Sequence, residues 1–139
     1  NGGKFDGKML TEEQKHLYGI YQKLLNLCNE EKAIAQGVFF DLMYANVDGW
    51  RFNEHKQYAF MRKYKNEVLL IAVNFDAQPV EIAINIPSHA FDFLQIPQID
   101  TYKATDLLSG KTENISLLPY KPTELPLQGY NGKILKLTL

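Results

Sequence analysis

The chain has 139 residues, 45% of them apolar and 22% charged, with fifteen Lys and Arg against sixteen Asp and Glu for a formal net charge of -1. This is the composition of one ordinary globular domain; it argues against disorder, and the absence of any block of like charge argues against a nucleic-acid partner. The longest apolar run, residues 68–73, falls far short of the roughly 20 residues a membrane span needs, and the single cysteine, Cys28, excludes an intramolecular disulfide or a multi-cysteine metal site.

The opening segment NGGKFDGKML holds three glycines and no periodicity, so it is read as a loop. It begins on Asn1 rather than methionine, which suggests a piece of something larger. Thr11 and Gln14 form a capping-box pair, and Glu12 and Glu13 place negative charge on the first turn, so a helix is expected to start at Thr11. At about 100° per residue, Leu17, Tyr18, Ile20, Tyr21, Leu24, Leu25, Leu27 and Cys28 share one half of the cylinder. Lys15, His16, Gly19, Gln22, Lys23, Asn26, Asn29 and Glu30 share the other. The helix is expected to run through EEKAIAQ and to end before Gly37, with that glycine as a left-handed terminus.

After Gly37 the period changes from 3.6 to 2. Candidate strands are 38–44, 57–64, 67–75, 80–86, 99–105, 112–117, 125–130 and 133–139. Eight such runs without a helical pattern between them predict a mainly β fold: a Greek-key-like antiparallel β-sandwich of about eight strands, preceded by one amphipathic α-helix. Val80, Ile82, Ile84 and Ile86 alternate with Glu81, Ala83 and Asn85, as in a strand with one wet face. Asn131-Gly132 reads as a type I′ hairpin turn joining the last two strands. The three prolines of LLPYKPTELP mark a loop or an edge, because proline cannot serve a central ladder.

Chemistry is sparse. The carboxylates Asp41, Asp48, Glu54, Asp76, Asp92, Asp100, Asp106, Glu113 and Glu124 show no spacing that selects a catalytic pair, and many sit beside turns, where such groups cap backbone N–H donors. His16, His55 and His89 are far apart in sequence and suggest no metal site. Cys28 lies on the apolar helical face and is expected to be a buried, inert thiol. Asn114-Ile115-Ser116 fits a glycosylation sequon, a triplet that also arises by chance. No catalytic residue, cofactor or metal is assigned. The loop NVDGWRFNEHK, with Trp50 and Phe52 between Tyr44 and Tyr58, is the one place where stacking of a pyranose can be argued. Trp50 is therefore the candidate carbohydrate-binding residue, the alternative being that it seals an edge of the core or an interdomain seam.

The segments NGGKFDGKMLTEEQK, IYQKLLNLCNEEKAIAQGVFFDLMYAN, QYAFMRKY and EVLLIAVNF resemble, in order and spacing, the C-terminal end of the alpha-amylase superfamily, glycoside hydrolase family 13, in its cyclomaltodextrinase or neopullulanase branch. There the last barrel helix is followed by an Ala–hydrophobic–polar–polar–Gly stretch and an aromatic strand, here AIAQGVFFDL; then come a strand ending in arginine and one ending in Val-Asn-Phe. The resemblance is good over about the first 90 residues and rests on β-rich character beyond them. It implies that residues 1–36 are the loop and final helix of a missing (β/α)8 barrel and residues 37–139 a C-terminal antiparallel β-domain, with the catalytic acids upstream. It places the opening loop at the rim of the active site of the intact enzyme, where Phe5 and Asp6 either approach substrate or, the favoured reading, serve the packing of that loop.

The expected role is a non-catalytic domain of an α-glucan-acting hydrolase that stabilises the barrel; the alternative is an independent carbohydrate-binding module for starch or maltooligosaccharides, and a protein-interaction sandwich is a third reading. The partners expected are the upstream barrel of the same chain, an α-glucan, and a second copy through the helix. The half-apolar helix favours the first role, because free-standing carbohydrate-binding sandwiches do not usually begin with one. A periplasmic or cell-surface bacterial setting follows from the resemblance only.

Overall fold

The computed structural model describes residues 2–139. A long helix α1 (Glu12–Glu30) opens on the expected capping box: the Gln14 N–H donates to Thr11 Oγ1 at 3.2 Å and the Thr11 N–H to Gln14 Oε1 at 2.9 Å. The helix does not run on to Gly37. It breaks at Glu31, whose backbone is extended, and a separate four-residue helix α2 (Lys32–Ala35) follows. Gly37 is not left-handed; glycine is required there because a Cβ would lie 2.2 Å from the Ala33 carbonyl oxygen and 2.9 Å from that of Lys63.

The strands are β1 (Val38–Asp41), β2 (Gln57–Tyr64), β3 (Glu67–Asn74), β4 (Val80–Ile84), β5 (Ile99–Asp106), β6 (Thr112–Leu117), β7 (Thr123–Leu127) and β8 (Asn131–Thr138). Six form one sheet in the order β1-β2-β3-β8-β5-β6, and β4 pairs with β7 in a second; every pairing is antiparallel. The last strand returns to the middle of the larger sheet, beside β3 and β5, the long-range return of a Greek key. The sequence-based expectation of an eight-stranded antiparallel sandwich behind one amphipathic helix holds.

The core lies between the sheets. Met61, Val68, Leu70, Leu135 and Leu137 from the larger sheet meet Ile82, Ile84, Leu125 and Leu127 from the smaller. A second apolar layer lies on the outer face of the larger sheet, where Leu69, Ile71 and Ile134 are covered by Leu27 of α1 and Ala33 of α2. That explains the unbroken apolar run of β3: Val68 through Ala72 are buried on both faces, so alternation disappears.

Three further expectations are corrected. Asn131-Gly132 does not turn a hairpin: β7 and β8 pair with different strands, the left-handed residue is Tyr130 (φ 49°), and Asn131 and Gly132 already lie in β8 opposite Asn74 and Val73. A helix α3 (Ser88–Leu94) stands between β4 and β5 and puts Ala90, Phe91 and Leu94 into the core. The first strand stops at Asp41 and gives way to a 3-10 turn at Met43–Ala45. Pro126 lies in β7, which has only β4 as a neighbour, so the proline-rich stretch is an edge as expected.

Candidate functional site

Trp50 is carried by the β1–β2 connection, and the local sequence builds that loop rigidly. Asn46 is the anchor: it is buried, donates from Nδ2 to the carbonyls of Leu42 (2.7 Å) and Asn85 (2.9 Å), and accepts the Asn85 N–H at 2.7 Å. A buried amide so fully satisfied is costly to move. The Gly49 N–H then donates to the Asn46 carbonyl, the Phe52 side chain is buried in the core, and the Ala83 N–H of β4 donates to the Arg51 carbonyl at 3.0 Å. Asp48 (φ 51°) and Arg51 (φ 55°) hold left-handed conformations, as do the turn residues Lys65, Gln95 and Tyr130 elsewhere in the chain. The product is an outward-facing indole: Trp50 is 62% exposed.

Arg51 lies beside that ring, its guanidinium carbon 5.0 Å from the ring centroid. Its Nε donates to the Glu81 carbonyl at 3.2 Å, and its terminal nitrogens reach the Glu81 carboxylate at 3.3 Å and that of Glu124 at 3.7 Å. Glu81 is on β4 and Glu124 on β7, so Arg51 fastens the loop to the outside of the smaller sheet. A shallow groove of about 390 Å3 adjoins Arg51, lined by Phe52, Pro79 and Val80 together with Asn53, Gln78 and the Lys56–Asp76 ion pair. Hydrogen bonding from Lys56 at 2.6 Å, reinforced by its charge, holds the Asp76 carboxyl below its ordinary value.

Several of the other carboxylates serve the fold. Asp106 is buried and accepts the N–H groups of Leu108, Ser109 and Ile134; Glu113 pairs with Lys133 at 2.8 Å and Asp100 with Lys121 at 3.1 Å. Among the described residues no group of three His, Cys, Asp or Glu side chains gathers as a metal site would. His16 is exposed on α1, His55 is exposed in the Trp50 loop, and His89 packs edge-on to Phe40 at 5.6 Å. Cys28 is exposed, against expectation, because the sheet covers only Leu27 at that end of α1. Phe5 is fully exposed, and Asp6 accepts the Lys8 N–H at 3.1 Å.

Sequence reasoning missed the clamp that orients α1. Arg62 donates from Nε to the Ala33 carbonyl (2.8 Å) and from Nη2 to the Gly37 carbonyl (2.7 Å). Lys136 reaches Glu31, at the helix break, at 2.6 Å and Glu67 at 3.6 Å. Burial opposes the Lys136 charge, but the hydrogen bond and charge of Glu31, with Glu67 behind them, outweigh it and hold the ammonium above its ordinary value. The arginine closing QYAFMR was the only visible signal; the Lys136–Glu31 pair spans 105 residues and leaves none.

With this geometry in view, the sequence of residues 50–121 matches the family described as "Maltogenic Amylase, C-terminal domain". Among curated proteins none matches the sequence. Similar solved structures include a maltogenic alpha-amylase from Thermotoga neapolitana, with a TM-score of 0.68 at 11% identity over 95% of this chain and 27% of that one. AmyP in complex with maltose gives 0.65 at 19% identity over 96% and 23%. The alpha-amylase of Geobacillus thermoleovorans complexed with acarbose gives 0.63 at 15% over 94% and 25%. At these identities the likeness is one of fold, and the chain spans about a quarter of the length of the solved chains it matches. The match covers more than half of the chain, from Trp50 through β2 to β6 with α3 included, and the chain belongs to the maltogenic amylase C-terminal domain family of alpha-amylase-type glycoside hydrolases.

Proposed function

We propose that the chain is the non-catalytic C-terminal part of an α-glucan-acting hydrolase, with residues 1–36 completing a (β/α)8 barrel and residues 37–139 forming a β-domain that braces it. The observation that carries this reading is the state of α1. Its C-terminal end is locked to the larger sheet through Leu27, Ala33 and the Arg62 and Lys136 clamps. Its apolar face is otherwise bare: Leu17, Tyr18, Ile20, Tyr21, Leu24 and Leu25 are all exposed. A stripe of that width on a single helix is a surface made to be covered. A rigidly held helix with an open apolar face is what the last helix of a barrel needs in order to fasten the barrel to the domain behind it. The matched solved chains continue far beyond this one, and two of them were solved with maltose and acarbose, which supports the α-glucan class.

The test compares the isolated chain with a longer chain that includes the upstream region. The isolated chain is expected to bind a hydrophobic dye or to self-associate, Leu25→Lys reduces both, and in the longer chain amides 14–26 exchange at least about tenfold more slowly. A monomeric isolated chain without dye binding, or equal exchange in the two chains, refutes the proposal.

A further inference from the structure

We infer that the Trp50 ridge is an auxiliary binding site for α-glucan chains, on the side of the β-domain turned away from α1. This rests on the α-glucan reading above and adds a place of contact to it. Two packing roles were open to this tryptophan. At 62% exposure it does not seal the core. Nor does it lie on the helix side, because α1 and α2 cover the outer face of the six-stranded sheet while Arg51 fastens the loop to β4 and β7 of the other sheet. The loop that carries Trp50 is thus fastened to the sheet opposite the one that α1 and α2 cover, and the indole is open to solvent in this chain.

The exposure is also not that of a loose loop. The buried Asn46 network holds the loop that carries the ring. The surroundings select the ligand class. A flat ring suits the C–H face of a pyranose, and the Glu81 and Glu124 carboxylates with the Arg51 guanidinium offer acceptors and donors for hydroxyls beside it. The adjoining groove falls at the low end of the about 300–1,000 Å3 typical of small-ligand sites. It adds the Asn53 amide and the Gln78 amide, whose side chain has no hydrogen-bond partner among the described residues. Arg51 pairs with Glu81 and Glu124, and Lys56 with Asp76, so the cations beside the ring are already neutralised and the surface does not select an anionic ligand.

Because Trp50 is the only tryptophan, its emission reports this site directly. The 139-residue chain is titrated with maltoheptaose, with cellohexaose as the linkage control, and its mobility is measured in native gels containing amylopectin. The expected result is a saturable emission change with maltoheptaose alone, with a Kd on the order of 1 mM as befits a shallow site. Trp50→Ala weakens gel retardation roughly tenfold while its circular dichroism matches the parent. Glu124→Gln, which keeps the ring, weakens the fluorescence titration. An unchanged emission at saturating sugar, an equal response to cellohexaose, or full retardation of Trp50→Ala overturns the inference. Leu25→Lys separates it from the barrel proposal: loss of dye binding beside an intact Trp50 titration supports both, whereas a silent Trp50 beside normal α1 behaviour removes the sugar site alone.

Discussion

Removing the ammonium of Lys136 tests whether the clamp sets the course of α1. The Lys136, Glu31 and Glu67 side chains are only 24%, 14% and 29% exposed, and Glu67 Oε2 is shielded from solvent without a hydrogen-bond partner. Lys136→Met keeps the length of the side chain and leaves two carboxylates facing each other without a counter-charge. Breaking a fully buried pair costs roughly 3–5 kcal/mol and an exposed one about 0–1 kcal/mol. At this intermediate burial the expected loss is about 2 kcal/mol, which for a chain of this size lowers Tm by about 6–10 °C. The pH dependence has a definite sign. The folded Lys136 is held above its ordinary value of 10.5, so its contribution is fully present below the unfolded value and fades as pH rises through the folded one. Parent and variant therefore differ by a constant amount through neutral pH and converge on the alkaline side. Thermal unfolding of Lys136→Met, Glu31→Gln and the double variant gives the coupling directly, expected at about 1–2 kcal/mol. A Tm within about 2 °C of the parent at pH 7, or a coupling below about 0.3 kcal/mol, refutes the reasoning.

Gly37→Ala is expected to cost several kcal/mol, on the order of 2–4, because the new methyl meets the backbone oxygens of Ala33 and Lys63 rather than yielding side chains. A midpoint in urea equal to the parent's would show that the α2–β1 junction gives way freely. Cys28 is expected to react completely with an aromatic disulfide reagent in native buffer, at a rate close to that in denaturant; protection of about a hundredfold would place it under cover instead.

The parts that were legible in the sequence are those decided by near neighbours. The Thr11–Gln14 box forms within one turn, and the 3.6-residue stripe of α1 and the period-2 runs of β2 and β3 each follow from geometry a few residues long. Pro126 could be placed at an edge because the missing N–H is a property of the residue itself. The seven residues of α3 make too few turns for a period to emerge, and they are helical because Ala90, Phe91 and Leu94 find the core. Trp50 could be singled out by residue type, but its outward presentation depends on Asn46 and Asn85, which lie 39 residues apart.

The readings that failed all turned on distant packing. Gly37 and Gly132 looked like turn glycines, yet the strand paired beside each crowds it with a backbone oxygen, from Lys63 and Ala72, and at Gly37 the preceding helix adds that of Ala33. Cys28 shares the apolar stripe with Leu27, but only Leu27 meets the sheet. The sequence by itself determined the class of the long periodic elements, α1 and the strands β2, β3 and β6, because hydrogen-bond geometry and side-chain period act over a few residues. The partner of β8, the break at Glu31 and the face on which Trp50 stands were decided by the tertiary structure alone, since they depend on groups that only the folded chain brings together.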